Sequence, residues 1–554
     1  MNKHRNLARP LPGVLHCFSI LFLLGLASTY AEAATPVAKD GQGKRPNILL
    51  MVADDLGYSD LGSWGGEINT PVLDSLASEG VRFTNFHVAA TCSPTRAMLM
   101  TGIDHHRAGL GNMAVWMAPN QKGKPGYEGH LNDVVTALPE RLRVSGYHTY
   151  MAGKWHLGNA ADHWPVAHGF EKDLSLIGGA GSHFSDMSNL VPQRPKVTMT
   201  HNGERINDLP DDYFSSKNFV DFLITEIESG KNDGQPFFAY LSLQVPHVPL
   251  QLPDDWIDRY AGRYRDGYDQ VRSRRLARQK AIGIVAEDVT AAPRNPMVAP
   301  WDSLTADEQR HSARKMEIYA GIVENMDYHI GRILDYLQQA GELDNTLVIF
   351  MSDNGAAAED TAKFVGDVLG ADARAWFDST FDNRYENYGR RGSWIGYGPA
   401  WAQVSSVPFR LFKATLAEGG VRSPLFISGP GIEQGGQIDH ALLHITDLVQ
   451  AILATAQGQG LAALQGRSDA QSLGMELFGQ RALISGQWKL LDLSNGGEAR
   501  DWSLYDLTTD PAEQHDLATS RQLLVKHLQG QWEQYSSENN VILPEGRVQP
   551  RPYE

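Results

Sequence analysis

The sequence predicts an α/β protein: a large mixed, mostly parallel sheet sandwiched by helices, followed by a small C-terminal antiparallel sheet with a helix. Three observations carry this. Runs such as Asn47-Ile48-Leu49-Leu50-Met51-Val52-Ala53 are apolar almost without a break, as strands covered on both faces are. Segments of helical spacing separate these runs, and alternating strands and helices imply a sheet between helical layers. Beyond residue 458 the pattern changes to short, closely spaced strands.

The elements follow in order. The strand at 47–53 stops abruptly at Asp54-Asp55. A short helix fits 71–80, with Pro71 near its start and Gly80 after its end. Further strands are expected at 147–151, 237–243 and 346–351, and helices at 138–144, 216–227 and 306–340. The longest helix repeats Met316, Tyr319, Ile322, Val323 and Met326 at helical spacing. Residues 360–405 are rich in Gly, Asn, Arg, Trp and Tyr without clear periodicity, and read as a long, functional loop region. Strands at 483–485, 490–491 and 502–506 and a closing helix at 521–536 complete the C-terminal unit. There is no internal repeat, heptad run or low-complexity tract.

The N-terminus has the form of a secretory signal peptide at 1–33. Lys3, Arg5 and Arg9 precede an apolar core at 14–26, and Ala31-Glu32-Ala33 supplies a small-residue cleavage pattern. The core is too short to span a bilayer comfortably. Cys17 lies ahead of most of that core, after His16, and does not read as a lipid-attachment cysteine. Cleavage near Ala33 and export to the periplasm are expected. A flexible lead-in at 34–45, a catalytic α/β domain at 46–457 and a C-terminal α+β domain at 458–554 follow. About 520 residues suffice for one large core and a smaller one. The net charge of -16 speaks against a nucleic-acid partner.

Two groups of residues point to chemistry. Asp54-Asp55 and Asp353-Asn354 each follow a buried strand, and ligands of open α/β sheets bind outside the carboxyl ends of strands. Converging carboxylates repel, so a hard cation is implied, and all-oxygen ligands suit Ca²⁺ or Mg²⁺ rather than Zn²⁺. Alternatively both pairs are turns after strands. The second group surrounds Cys92, which remains as a lone cysteine once the leader is removed. A lone cysteine in an exported protein forms no internal disulfide. In Thr91-Cys92-Ser93-Pro94-Thr95-Arg96, Thr91 or Ser93 can cap a helix, Pro94 suits its first turn, and Arg96 lies four residues after Cys92. A helix N-terminus with an arginine is an anion site; the bland alternative is an inert, buried cysteine.

These residues also carry a resemblance. Cys92-Ser93-Pro94-Thr95-Arg96 with Leu99-Met100-Thr101-Gly102 resembles the first signature of the formylglycine-dependent sulfatases of the alkaline phosphatase superfamily. Gly146-Tyr147-His148-Thr149-Tyr150-Met151-Ala152-Gly153-Lys154-Trp155-His156-Leu157-Gly158 is similar to the second. Asp54-Asp55, Asp353-Asn354-Gly355 and Tyr505-Asp506-Leu507 also match, so the resemblance runs over 46–517. Bacterial arylsulfatases resemble it most, through Thr101-Gly102-Ile103-Asp104-His105-His106, Gly126-Tyr127-Glu128-Gly129-His130-Leu131 and Arg410-Leu411-Phe412-Lys413. Residues 457–472 form a shorter stretch than in similar sulfatases.

The resemblance implies an alkaline-phosphatase-like fold and hydrolysis of sulfate monoesters, aryl sulfates foremost. It implies that a maturation enzyme oxidises Cys92 to formylglycine, whose hydrate is the nucleophile. Asp54, Asp55, Asp353 and Asn354, with the hydrate at 92, would bind the metal, Ca²⁺ ahead of Mg²⁺. Arg96 would orient the hydrate and Asp353 accept its first proton. Lys154, His247 and Lys413 would bind sulfate oxygens or protonate the leaving oxygen. His156 would remove the proton of the second hydroxyl. Lys154 and His156, two apart, would share one face of an extended segment, and Pro246 and Pro249 flank His247. His105 and His106 are left outside the core site, and Trp116, Trp394 and Trp401 fit packing better than substrate contact. Two alternatives stay open: a phosphate or phosphonate monoester hydrolase of the same superfamily, and a non-catalytic protein that captures sulfated ligands.

Overall fold

The computed structural model describes residues 45–468, 470–496 and 502–548. The expected leader at 1–33 and all but the last residue of the lead-in at 34–45 lie outside them.

The first strand explains the architecture. In β1 (Asn47–Asp54) every residue is buried. Leu49, Met51 and Ala53 enter one core, and Ile48, Leu50 and Val52 enter another. The period of two along an extended chain divides one apolar run between two helical layers.

The main sheet adds β2 (Val81–His87), β3 (His148–Lys154) and β4 (Lys172–Leu176). A small hairpin of β5 (Ser188–Val191) and β6 (Arg194–Lys196) stands apart. The sheet continues with β7 (Met199–His201), β8 (Glu204–Ile206), β9 (Phe237–Pro246), β10 (Thr346–Ser352) and β11 (Arg422–Ser428). Its last members are β12 (Gln437–Asp439) and β13 (Leu443–His444). The spatial order is β12-β2-β11-β10-β1-β9-β3-β4-β7-β8, with β13 also on β2. The centre, β10-β1-β9-β3-β4, is parallel, whereas β11 runs antiparallel to both β10 and β2.

On one face lie α1 (Pro71–Glu79), α4 (Ser215–Gly230) and α6 (Ala306–Gln339); on the other lie α2 (Cys92–Thr101), α3 (Leu138–Val144) and α11 (Ile445–Ala456). In α6, Thr305 and Glu308 form a reciprocal capping box. A four-stranded antiparallel sheet of β14 (Leu473–Leu477), β15 (Gln480–Ser485), β16 (Trp488–Asp492) and β17 (Ser503–Asp506) follows, backed by α12 (Gln522–Glu538).

One expectation is corrected. Residues 360–405 are not a loop throughout: they hold α7 (Thr361–Phe364), α8 (Ala371–Thr380) and α9 (Gly398–Ser405). A small core of Val365, Phe377, Phe381 and Trp394 holds the first part together, and Trp401 is buried in the main core. Few apolar residues, spread across three short helices, leave no readable period.

Candidate active site

Four neighbouring parallel strands end at one place. β10 delivers Asp353 and Asn354, β1 delivers Asp54 and Asp55, β9 leads to His247, and β3 delivers Lys154 and His156. Cys92 comes from the first residue of α2, and Lys413 from the segment before β11. All ten residues singled out in the sequence meet at the carboxyl edge of the parallel strands, as open α/β sheets arrange their sites.

The backbone bends to bring adjacent residues to the same side. Asp55 has φ 68° and His156 φ 61°, left-handed values uncommon for non-glycine residues and characteristic of functional sites. Lys154 and His156 therefore do not share a strand face as expected: Lys154 ends β3, and the left-handed turn swings His156 in beyond it. Gly153, at φ 119°, is required here, because a Cβ would lie 1.7 Å from the Ser242 carbonyl oxygen.

Cys92 is 1% exposed, and its Sγ lies 3.4 Å from His156 Nδ1. Burial pushes its thiol above the usual range, against the pull of Lys154 and Lys413. Thr91 occupies the cap position of α2 but makes no capping bond, and among the described residues the Thr91 and Ser93 hydroxyls have no partner. The expected cap is thus absent, and the first turn of the helix keeps donors for an anion. Arg96 is fully buried. Its Nε donates to Asp353 Oδ2 at 2.9 Å, its Nη2 lies 2.7 Å from the same oxygen, and its Nη1 donates to the Lys154 carbonyl at 3.1 Å. Arg96 also donates to Ser242 Oγ, which in turn donates to the Lys154 carbonyl at 2.6 Å. Ser242 escaped sequence reasoning; a lone hydroxyl in the apolar run 237–243 was its signal.

Lys154 Nζ donates to both oxygens of Asp54, at 2.9 and 2.7 Å. Lys413 Nζ pairs with Asp55 at 2.7 Å. His247 Nε2 lies 3.5 Å from Asp55 Oδ2, and its Nδ1 faces the Val248 carbonyl at 2.7 Å. Burial raises Asp54 to about 7, with the Asp353 and Asp55 charges adding to it and Lys154 and Arg96 opposing. Burial also works against Asp55, but Lys413, His247 and Lys154 outweigh it and hold that carboxyl below its usual range. Burial holds His156 well below its ordinary value, reinforced by Lys154, Arg96, Lys413 and His247. His247 falls to about 3 for the same leading reason. Both imidazoles are neutral at pH 7, and both lysines are held as cations by their carboxylate partners.

The donor set fits a hard divalent cation. Asp54, Asp55, Asp353 and Asn354 are at most 2% exposed, and Asn354 Oδ1 is buried with no partner among the described residues. The ligating atoms of Asp54, Cys92 and Asp353 lie within 4.8 Å of one another, as do those of Asp54, Asp55 and His247. Crowded buried carboxylates and an orphaned amide oxygen call for positive charge.

His105 and His106 sit in a buried ionic group. His106 Nδ1 meets Asp104 at 2.7 Å, its Nε2 meets Glu476 of β14 at 2.8 Å, and Tyr535 of α12 donates to Asp104 at 2.8 Å. They brace the C-terminal sheet. Trp394 and Trp401 are core residues, and Trp116 is partly buried, packed against the cluster that holds Ala90 and Ala414.

Comparison with known proteins agrees with this geometry. The sulfatase family model matches residues 46–458. An uncharacterized sulfatase of Schizosaccharomyces pombe is 41% identical over 536 residues, covering 91% of this chain and 96% of that protein. The arylsulfatase of Klebsiella aerogenes is 39% identical over 417 residues, covering 75% and 87%. The crystal structure of Ps i-CgsB shares the fold, with TM-score 0.63 at 22% identity over 90% of this chain and 95% of that one. The chain accordingly belongs to the sulfatase family of the alkaline phosphatase superfamily, and is a hydrolase of sulfuric esters.

Proposed function

We propose that the protein hydrolyses aryl sulfate monoesters, with Cys92 converted to formylglycine and Ca²⁺ held by Asp54, Asp55, Asp353 and Asn354. One observation carries this: Cys92 Sγ lies 3.4 Å from His156 Nδ1 at the uncapped start of α2. A single buried atom there faces a base and lies within 4.8 Å of ligating atoms of Asp54 and Asp353.

When bound, Ca²⁺ would act as a Lewis acid toward the sulfate. The rest falls to this chain's residues. Arg96 locks Asp353 and the end of β3 in place, so the acceptor of the first proton stays fixed. Lys154 and Lys413 offset the charge of the sulfate oxygens and hold sulfur in line with the attacking hydroxyl of residue 92. His247, with its Nδ1–H on the Val248 carbonyl, takes a proton from solvent at Nε2 when the sulfate anion arrives and gives that proton to the leaving oxygen. A hydroxyl oxygen of residue 92 bonds to sulfur as the sulfur–alcohol bond breaks. Neutral His156 then takes the proton of the second hydroxyl, the aldehyde re-forms, and sulfate departs with its bridging oxygen.

The leader at 1–33 supports export to the periplasm, and a maturation enzyme is part of the reading at Cys92. Among the described residues, no helix is long and apolar enough to cross a membrane. The domain division at residue 458 is part of this reading.

The test is the mass of tryptic peptide 83–96 from the native host, with rates on 4-nitrophenyl sulfate and 4-nitrophenyl phosphate. Formylglycine at 92 and faster sulfate turnover uphold the proposal. Intact cysteine with full turnover, or faster phosphate turnover, overturns it.

A further inference from the structure

A cavity of about 480 Å³ opens elsewhere on the molecule, and none of the candidate active-site residues lines it. Its volume falls within the range of small-molecule sites, about 300–1,000 Å³. One wall is a face of α6, where Asn325 and His329 stand four residues apart with Tyr328 beside them. The segment before α4 adds Asp211, Tyr213 and Phe214, and the segment after β9 adds Asp255 and Trp256.

Two hydrogen-bond donors on that helix face are unspent. Asn325 is 1% exposed, and its Nδ2 is buried with no partner among the described residues. His329 is 6% exposed, and its Nδ1 accepts from Arg332 Nη1 at 3.2 Å. Burial lowers His329 to about 4, with the Arg332 charge adding to the effect. The ring is therefore neutral at pH 7 with its hydrogen on Nε2, and among the described residues nothing accepts that hydrogen. A buried amide left unpaired is a cost to the fold that an apolar side chain of like shape would not carry.

The rim supplies acceptors. Asp211 and Asp255 are exposed, and among the described residues neither carboxylate has a hydrogen-bonding or ionic partner. The cations in the walls are engaged: Lys217 lies 3.5 Å from Asp212 and 3.3 Å from Asp221, and Arg259 lies 3.1 Å from Glu324. Arg259 also covers the Trp256 ring, 3.5 Å from its centroid, whereas Tyr328 is 53% exposed.

We infer that this cavity binds a neutral saccharide, with Asn325 and His329 donating to its oxygens, Asp211 and Asp255 accepting from its hydroxyls, and Tyr328 packing on its C–H face. A sugar hydroxyl both donates and accepts, so one ligand satisfies both sets of groups. An anion would meet two unpaired carboxylates, and an organic cation would strand two buried donors. The inference goes beyond the sulfate-ester reading and does not depend on it, because binding here uses no residue of the reaction.

The test is saturation-transfer NMR on the full chain. The probes are the methyl β-glycosides of glucose, galactose, mannose and fucose, with cellobiose and lactose, and with acetate and tetramethylammonium as charged controls. At least one sugar should bind with a millimolar Kd. Asn325→Leu and Tyr328→Ala should each raise that Kd about tenfold, and leave kcat/KM for 4-nitrophenyl sulfate within about twofold. Asn325→Leu should also hold or raise the melting temperature; a marked fall would mean that the amide is spent inside the fold, and overturns the inference. Tyr328→Ala alters an exposed residue and tests binding whatever Asn325→Leu does to folding. Binding by none of the sugars, sugar binding that both variants leave intact, or a charged control bound here in place of any sugar also overturns it. Tighter binding of the disaccharides than of the methyl glycosides identifies the ligand as a segment of a chain, and equal binding as a free sugar. Failure of these sugars to bind leaves aryl sulfate turnover untouched, so the two readings fail separately.

Discussion

Replacing His156 by Asn separates the two halves of the reaction. The choice of Asn follows from the backbone: at φ 61° an alanine would add left-handed strain of about 1 kcal/mol, whereas Asn tolerates that region. The substitution keeps a polar side chain beside Cys92 and removes the base whose Nδ1 stands 3.4 Å from Sγ. A positioned general base contributes about 10²- to 10⁴-fold, or about 3 to 5 kcal/mol of barrier. That loss should fall on the second half alone, because the first proton goes to Asp353. In stopped flow with 4-nitrophenyl sulfate, the variant should release about one nitrophenol per formylglycine-bearing site in a rapid burst, then nearly stall. Mass spectrometry of peptide 83–96 should find the added sulfo group at residue 92. A slow steady rate without a burst would refute the assignment, since His156 would then serve the first half or merely shape the pocket.

Prolonged dialysis against a strong chelator should abolish turnover, with Ca²⁺ restoring more of it than Mg²⁺; Asn354→Ala, which deletes the orphaned amide oxygen, should need more Ca²⁺ for half-recovery. Lys489 of β16 is fully buried between Glu418 and Glu513, at 2.7 and 2.8 Å, so Lys489→Met takes the shared cation from two buried carboxylates and leaves Glu418 to His87 and Arg422 and Glu513 to Arg410. Denaturant unfolding should report about 3–5 kcal/mol lost, and a loss under about 1 kcal/mol would sink the argument. His106 is raised to about 9: burial opposes its charge, but the Asp104 and Glu476 partners outweigh it. Its folded value lies above the unfolded one, so its contribution, about 3 kcal/mol, is complete below the unfolded value and disappears as pH rises through about 9. The gap in melting temperature between wild type and His106→Gln should therefore be wide at pH 6 and close by pH 10, measured by calorimetry.

The ends of the buried strands were more legible than the directions of the strands. Asp54-Asp55 and Asp353-Asn354 announce themselves because a polar pair after an apolar run marks a strand's end, and the sheet's parallel centre then forces those ends together. Strand β11, antiparallel within that sheet, left no comparable mark: Arg422–Ser428 carries a proline and takes its direction from β10 and β2, which lie far away in sequence. Ser242 matters through what stands beside it, and a linear pattern does not encode neighbours across 88 residues, as between Lys154 and Ser242. The same holds for the left-handed turns at Asp55 and His156, which tertiary contacts impose on residues with no strong preference of their own.

Every residue of α2 is buried. On the proposed maturation of Cys92, an enzyme would have to hold residues 92–96 as an accessible strip of chain, which the folded protein does not offer. Oxidation and folding would then be in a race that each molecule runs once. A purified batch would on that reading hold two permanent kinds of molecule, one armed and one inert. Its specific activity reports how the race went in the host that made it, and a host short of the maturation enzyme would yield well-folded protein that does nothing.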